Sequence, residues 1–219
     1  MEKKVKLHTA IKASYGYKDA MNKLNKKGYV LDKDLSNHNE QVYFKHKKNG
    51  GKKLLYTVAG THNLSDVGTD VALALGKLKN TKRYKEADEI LRKAKEKHRV
   101  NKATIAAHSL GGSIAGYIAS NDDDVYTLNK GATIGQPIKQ NESAYRYGGD
   151  MVSILNKNTN NMNTLYKSEN ERYHDLLNNT LSTSHSGYLM GPFRGFINAP
   201  ISAYKAHDVD RIKSQEIYI

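Results

Sequence analysis

The sequence predicts an α/β fold in which helices flank a mostly parallel central sheet. Short apolar runs rich in β-branched residues alternate with longer stretches in which apolar residues recur every three or four positions. This order of strand, helix, strand, helix, strand is typical of parallel strands joined by crossover helices. Because 219 residues suffice for one core of this kind, we expect a single α/β domain over residues 1–219.

The N-terminal part of the chain predicts a helix followed by a hairpin. Residues 8–27 are rich in helix formers until Gly28 ends the run. Residues 41–47 and 53–59 are strand candidates, and the Asn-Gly-Gly sequence at 49–51 is a hairpin turn signal. The second strand contains a continuous apolar run, so we expect it to be buried on both faces.

The middle of the chain predicts two helices. One is expected over residues 66–78, and Thr81 is expected to cap a long charged helix that ends near His98. Apolar residues on one side of the charged helix predict that it packs on the sheet. These are Tyr84, Ala87, Leu91 and Ala94.

The second half of the chain continues the alternation. Residues 104–107 and 125–128 are strand candidates, residues 113–120 form a helical run of small residues, and residues 151–155 are another apolar segment. The polar, asparagine-rich residues 156–179 predict a long loop or a flap, and lids over active sites are drawn from such segments. The sequence leaves open whether this loop is a lid.

The most informative segment is residues 107–112, which read AHSLGG. A serine between an apolar strand and a helix of small residues, flanked by residues that let the backbone bend, is typical of the nucleophile elbow of serine hydrolases. Strain at such a turn exposes the hydroxyl, and the N-terminus of the next helix directs N–H groups at an oxyanion. The alternative is that Ser109 merely caps this helix.

Composition restricts the chemistry further. The chain has no cysteine, which excludes disulfides, thiol nucleophiles and cysteine metal sites. The net charge of +13 favours contact with polyanions, either nucleic acid or an anionic membrane surface, although charge runs more often mark solvated faces. No nucleic-acid-binding signature is present, so nucleic acid is not expected. With no signal peptide and no membrane-spanning run in view, we expect a soluble, intracellular or particle-associated protein of open oligomeric state.

Three spaced motifs between residues 54 and 155 carry a family resemblance. The first motif is residues 107–112, which match a GHSLGG elbow. The second joins residues 59–61, which match a strand that ends in Gly-Ser or Gly-Thr, with residues 66–70, which match the D-x-x-x-D helix that follows such a strand. Residues 150–152 match a strand acid in a D-x-V pattern. In these motifs the chain resembles the class 3 lipases of the α/β-hydrolase superfamily, which implies an α/β-hydrolase-like fold.

Two positions depart from the family pattern. Ala107 replaces the first glycine of the elbow, where a small residue is tolerated if only close approach is required. Val67 stands where the family commonly has tryptophan, and the chain has no tryptophan. Neither change removes a catalytic group.

The resemblance implies that Ser109 is the nucleophile and that Asp150 is the acid of a catalytic triad. Superfamily members order the triad as serine, acid, histidine, and Asp150 follows a strand-like region after two glycines. The alternative is that Asp150 is a turn aspartate. The consecutive acids at 122–124 fit a solvated turn or a cap better than they fit a triad.

The catalytic base must then follow Asp150 in the chain. His207, at the head of a short helix near the C-terminus, is favoured because the family's base usually comes there. His185, in a loop of small residues, is the alternative base. His174 fits the surface of an amphipathic helix, and His108 is expected to pack or hydrogen-bond beneath the elbow.

Two backbone N–H groups are expected to bind the oxyanion. One belongs to Leu110, the residue after the nucleophile. The resemblance assigns the other to Thr61, whose alternative role is that of an ordinary turn threonine. Such donors contribute roughly 3 to 4 kcal/mol each to the transition state. We expect no cofactor and no metal.

The function that follows is hydrolysis of carboxylic esters, with lipid or phospholipid acyl esters as the favoured substrates. The alternative is a catalytically silent binding or structural protein that keeps the α/β-hydrolase fold. The sequence does not define acyl chain length or head group.

Overall fold

The structure is a computed structural model, and it describes residues 4–62, 78–131, 138–148, 150, 153, 162–165 and 217–219. None of the helices in this described part is long and apolar enough to cross a membrane.

The described residues form a central sheet of seven strands, whose spatial order follows the order of the chain. The first three strands are antiparallel neighbours, whereas the third to the seventh are all parallel. The strands are β1 (Val30–Leu31), β2 (Glu40–His46), β3 (Lys52–Val58), β4 (Ala103–His108), β5 (Asp124–Leu128), β6 (Glu142–Tyr147) and β7 (Met162–Leu165).

Helices cover both faces of this sheet. On one face, α1 (Leu7–Ser14) and α2 (Lys18–Lys26) pack over Leu55, Ala106 and Leu128. The other face is covered by α3 (Lys82–His98) and α4 (Leu110–Ile118). Its buried side chains alternate with those of the first face, as a pleated strand requires; they include Leu54, Tyr56, Ile105 and Val125.

These layers confirm the predicted α/β architecture of a mostly parallel sheet flanked by helices. The β2–β3 hairpin and the long charged helix are also confirmed. The Thr81 hydroxyl accepts a 3.2 Å hydrogen bond from the Tyr84 amide at the start of α3, and Ala87, Leu91 and Ala94 are buried.

The single helix expected over residues 8–27 is wrong. It is divided into α1 and α2 because Gly16 adopts a φ of +78°, a left-handed conformation that ends α1. The two helices pack against each other.

The polar segment at 156–179 is not wholly a loop, since four of its residues form β7 at the edge of the sheet. The short strand β1 and the strand β6 were not predicted either. The rest of 156–179 lies outside the described residues, and so do residues 151, 152, 154 and 155. Of the helix expected over residues 66–78, the structure describes only Leu78, which begins a 3₁₀ helix, Leu78–Asn80.

Candidate active site

The candidate residues lie where the parallel strands end. Thr61 follows β3, Ser109 follows β4 and Asp150 follows β6. Parallel strands bring their carboxyl ends to one edge of the sheet, which is where α/β proteins bind their ligands. Since β4 and β6 are two strands apart, Ser109 and Asp150 start from positions about 10 Å apart, a separation that leaves room for an imidazole between them.

Ser109 occupies a strained turn between β4 and α4. Its φ of 55° and ψ of −128° lie in a region that non-glycine residues rarely adopt, at a cost of about 1–3 kcal/mol. The Ser109 carbonyl accepts hydrogen bonds from the amides of Gly112 and Gly131, both at 2.9 Å. The Ser109 side chain does not cap α4. Ser109 is therefore not the side-chain helix cap that the sequence left as an alternative. Ser109 is 1% exposed, so substrate access requires the covering atoms to move.

The two elbow glycines are closely packed. A Cβ on Gly111 would lie 2.6 Å from the Val58 carbonyl oxygen, and real Cβ atoms essentially never come that close. A Cβ on Gly112 would lie 3.2 Å from the backbone of Lys130. The first turn of α4 is thus wedged between the ends of β3 and β5, and this fixes the Leu110 amide at the helix N-terminus.

Residues 59–61, which we call the 59–61 turn, lie directly beside the elbow. A Cβ on Gly60 would lie 2.6 Å from the Ser109 Cβ and 2.7 Å from the Tyr15 hydroxyl. The Thr61 hydroxyl is buried and makes no hydrogen bond with the described residues. A buried donor without a partner costs free energy unless a ligand satisfies it. The Thr61 hydroxyl is therefore suited to donate a hydrogen bond to an acceptor atom of a bound substrate.

His108 hydrogen-bonds beneath the turn, as expected. Its Nδ1 lies 2.7 Å from the hydroxyl of Tyr15, the residue that follows α1. The same hydroxyl accepts a 2.8 Å hydrogen bond from the Gly60 amide. The Tyr15 hydroxyl therefore links the His108 ring to the Gly60 amide.

Two further imidazoles lie near the 59–61 turn. The rings of His38 and His62 stack with centroids 3.7 Å apart, and the Tyr15 ring meets His62 edge-on at 5.2 Å. Burial lowers the pKa of His62, and the charges of His38 and Arg83 add to the shift. His62 is consequently neutral at neutral pH and adds no charge beside Thr61.

The Asp150 carboxylate is buried and held by a local turn. Its Oδ2 accepts a 3.1 Å hydrogen bond from the Ser153 amide and another from the Ser153 hydroxyl. Fully buried Arg146, in β6, donates to the Asp150 carbonyl at 3.1 Å and to the Ser153 hydroxyl at 3.3 Å. An aspartate that accepts from the amide three residues on is a common turn pattern, so the Asp150–Ser153 spacing was a signal available in the sequence.

A buried ion pair supports the end of β5. The Lys130 ammonium donates to both carboxylate oxygens of Glu142 at 2.9 and 2.8 Å, and the Thr127 hydroxyl donates to the same carboxylate at 3.0 Å. Burial lowers the pKa of Lys130, while Glu142 opposes the shift. Because Lys130 lies against Gly112, this pair also supports the elbow.

Asp123, one of the acids at 122–124, has a structural role. Its carboxylate accepts hydrogen bonds from the Ala103 amide at 2.8 Å and from Lys95 at 2.8 Å. Ala103 is the first residue of β4, so Asp123 lies at the edge of the sheet opposite Ser109.

The proposed bases His207 and His185 lie outside the described residues, and so does His174. The structure therefore does not place an imidazole between Ser109 and Asp150. Within the described part of the chain, no group of three or more His, Cys, Asp or Glu residues could hold a metal ion.

Four residues at the site were not predicted from the sequence: Tyr15, Arg83, Ser153 and Arg146. Arg83, near the start of α3, donates from Nη1 to the Gly60 carbonyl at 3.2 Å and from Nη2 to the Ala59 carbonyl. Its Nε lies 3.6 Å from a carboxylate oxygen of fully buried Glu40. Burial raises the pKa of Glu40, against the opposing charge of Arg83. No local pattern in the sequence indicates these long-range contacts.

Comparison with known proteins is in line with a lipid-directed site. No curated protein and no solved structure gives a significant match. A family model described as a Tle-like phospholipase domain, among phospholipase-like families, matches residues 8–184. The match covers α1 to β7 and supports a phospholipase or lipase family, without reaching the class 3 lipases in particular. The chain belongs to the family of Tle-like phospholipase domains.

Proposed function

We propose that this chain is a serine hydrolase that cleaves lipid acyl esters, phospholipids foremost, through Ser109, Asp150 and a histidine. His207 is the proposed base and His185 the alternative. The finer assignment we propose is a class 3 lipase-like member of the α/β-hydrolase superfamily. The spacing of Ser109 and Asp150 supports it, since the acid follows the second strand beyond the nucleophile strand.

The observation that carries this proposal is the strained backbone of Ser109 between β4 and α4. Such strain persists only where the surroundings hold it, and it concentrates at functional sites. Here the carbonyl of Ser109 accepts hydrogen bonds from the amides of Gly112, Ser113 and Gly131, and Gly60 leaves room beside the Ser109 Cβ. This arrangement serves a nucleophile at the tip of the turn.

The proposed reaction has two halves. The histidine takes the Ser109 proton as the oxygen attacks the ester carbonyl, and the Leu110 and Thr61 amides bind the oxyanion. The C–O bond to the alcohol then breaks, and the histidine returns the proton to the departing alkoxide. Water next attacks the acyl-enzyme by the same route and releases the fatty acid. Asp150 holds the imidazole in the tautomer that accepts the serine proton.

The experiment compares the wild-type chain with Ser109→Ala on phospholipid vesicles and on p-nitrophenyl esters of several chain lengths. We expect the variant to lose at least about 10³-fold in kcat. Equal rates for the two proteins would exclude the hydrolase and leave a binding or structural protein of the same fold. Because Ser109 is 1% exposed, turnover is also the test of access.

The base is tested with His207→Ala and His185→Ala, measured beside Asp150→Asn. We expect His207→Ala to be as inactive as Ser109→Ala, because residues that act as one unit are not additive. Full activity of His207→Ala with loss in His185→Ala would transfer the role to His185.

A further inference from the structure

The 59–61 turn is held from both sides by side chains that are distant in the sequence. Arg83 donates to the carbonyls of Ala59 and Gly60, while the Tyr15 hydroxyl accepts from the Gly60 amide at 2.8 Å. Tyr15 comes from the end of α1 and Arg83 from the start of α3. These helices lie on opposite faces of the sheet.

Peptide geometry then fixes the direction of the Thr61 amide. No peptide bond is cis in the described residues, so each N–H points away from the carbonyl of the same peptide. The two carbonyls that Arg83 binds face the same side. The amides of Gly60 and Thr61 consequently both face the other side.

The two amides differ in what they can still bind. The Gly60 amide is occupied by the Tyr15 hydroxyl, which itself serves His108 at 2.7 Å. The Thr61 amide is directed to the same side as the Gly60 amide. Gly60 itself lies against the Ser109 Cβ. Within the described residues, the neighbouring Thr61 hydroxyl is buried without a partner.

We propose that Tyr15 and Arg83 are positioning residues that hold the 59–61 turn so that the Thr61 amide and hydroxyl bind the substrate's oxyanion. This inference rests on the proposed hydrolase function. Neither side chain touches the reacting atoms; each acts through the turn. Buried Glu40, 3.6 Å from the Arg83 Nε, keeps the guanidinium in place.

The test uses Tyr15→Phe, which removes only the hydroxyl, and Arg83→Gln and Arg83→Lys in the full chain. Each kcat is measured on a soluble ester and divided by the concentration of sites that a fluorophosphonate labels, so unfolded protein does not count. We expect Tyr15→Phe and Arg83→Gln to lower kcat per site by roughly 10-fold or more with KM unchanged, as loss of transition-state binding requires. Arg83→Lys, which retains one donor and the charge, should recover part of the loss.

The controls remove similar groups elsewhere. Tyr43→Phe deletes a buried hydroxyl that donates to Gln41, and Arg92→Gln deletes an exposed guanidinium of the same helix as Arg83. Both should retain the wild-type kcat per site. If Tyr15→Phe and Arg83→Gln also retain it while Ser109→Ala is inactive, the positioning role is wrong and the hydrolase stands. If Ser109→Ala hydrolyses esters like the wild type, the hydrolase itself is wrong and this inference falls with it.

Discussion

Gly60 faces Ser109 so closely that a Cβ on Gly60 would lie 2.6 Å from the Ser109 Cβ. The same Cβ would lie 2.7 Å from the Tyr15 hydroxyl. The 59–61 turn and the elbow can therefore approach each other only through a residue without a side chain. This contact sets the distance between the proposed nucleophile and the proposed oxyanion donor at Thr61.

We predict that Gly60→Ala lowers kcat by about 100-fold, because displacing an oxyanion donor by about 1 Å costs that much. Ester hydrolysis and the thermal unfolding midpoint are measured together. Gly51→Ala is the matched control, because its Cβ would meet only ordinary contacts at 3.6 Å or more. A Gly60→Ala enzyme with wild-type kcat would contradict the role given to this contact.

The buried pair of Lys130 and Glu142 gives a prediction on stability. Glu142→Gln leaves the Lys130 ammonium buried without its counter-charge, which costs about 3–5 kcal/mol in the free energy of unfolding. Replacing both residues together, as Lys130→Met with Glu142→Leu, should restore most of the loss. Urea unfolding measures both effects.

An exposed pair serves as the comparison for the buried one. Glu89 and Lys93 lie 2.7 Å apart on α3 with both side chains about half exposed. Glu89→Gln should leave the unfolding midpoint unchanged, since solvent screens such pairs. If Glu142→Gln also left the unfolding midpoint unchanged, Lys130 would not be charged in the folded protein.

Much of the fold follows from local signals in the sequence. The Asn-Gly-Gly turn, the Thr81 cap and the AHSLGG elbow each act over a few residues, and the structure contains the hairpin, helix α3 and the strained turn at Ser109 where these signals predict them. Gly16 is a local signal as well. Strong helix formers on either side of Gly16 predict one continuous helix over residues 8–27, whereas the left-handed φ of Gly16 divides it into α1 and α2.

The missed elements depend on tertiary contacts. Strand β6 contains Glu142 and Arg146, charged residues that argue against burial when the sequence is considered alone. Both are buried because each has a partner. Lys130 pairs with the Glu142 carboxylate, and the Asp150–Ser153 turn accepts hydrogen bonds from the Arg146 guanidinium. Likewise, Tyr15 and His108 are 93 residues apart, so no sequence window contains both partners of that hydrogen bond.

The charge distribution predicts which edge of the molecule meets an anionic membrane. Exposed Lys79 and Lys82 lie at the start of α3, where Arg83 contacts the 59–61 turn. Exposed Lys47 and Lys48 lie in the β2–β3 hairpin, at the other end of a strand about 20 Å long. The first pair therefore lies near the turn beside Ser109, and the second pair lies far from it.

We predict that Lys79→Gln with Lys82→Gln slows hydrolysis of anionic phospholipid vesicles several-fold, and that added salt reduces the wild-type rate towards the same value. The soluble ester should be hydrolysed at the wild-type rate. Lys47→Gln with Lys48→Gln removes the same net charge and should leave both rates unchanged. Equal slowing by the two double variants would show that net charge, not the edge beside the site, governs vesicle binding.

His8 on α1 makes stability depend on pH. Burial, followed by the charges of Lys6, Lys12 and Lys23, lowers the pKa of His8 from 6.5 to about 4. The unfolded chain therefore binds a proton at His8 as the pH falls below about 6.5, whereas the folded chain binds it only near 4. Acid favours the unfolded state across this window, so the folded protein loses stability as the pH falls through it.

We predict that His8→Gln, which cannot gain this charge, unfolds at a higher urea concentration than the wild type at pH 5 but at nearly the same concentration at pH 8. His46→Gln, at an exposed position in the hairpin strand β2, is the control and should follow the wild type at both pH values. The same change in urea midpoint between pH 8 and pH 5 for the wild type and His8→Gln would mean that the His8 imidazole is not buried against these lysines.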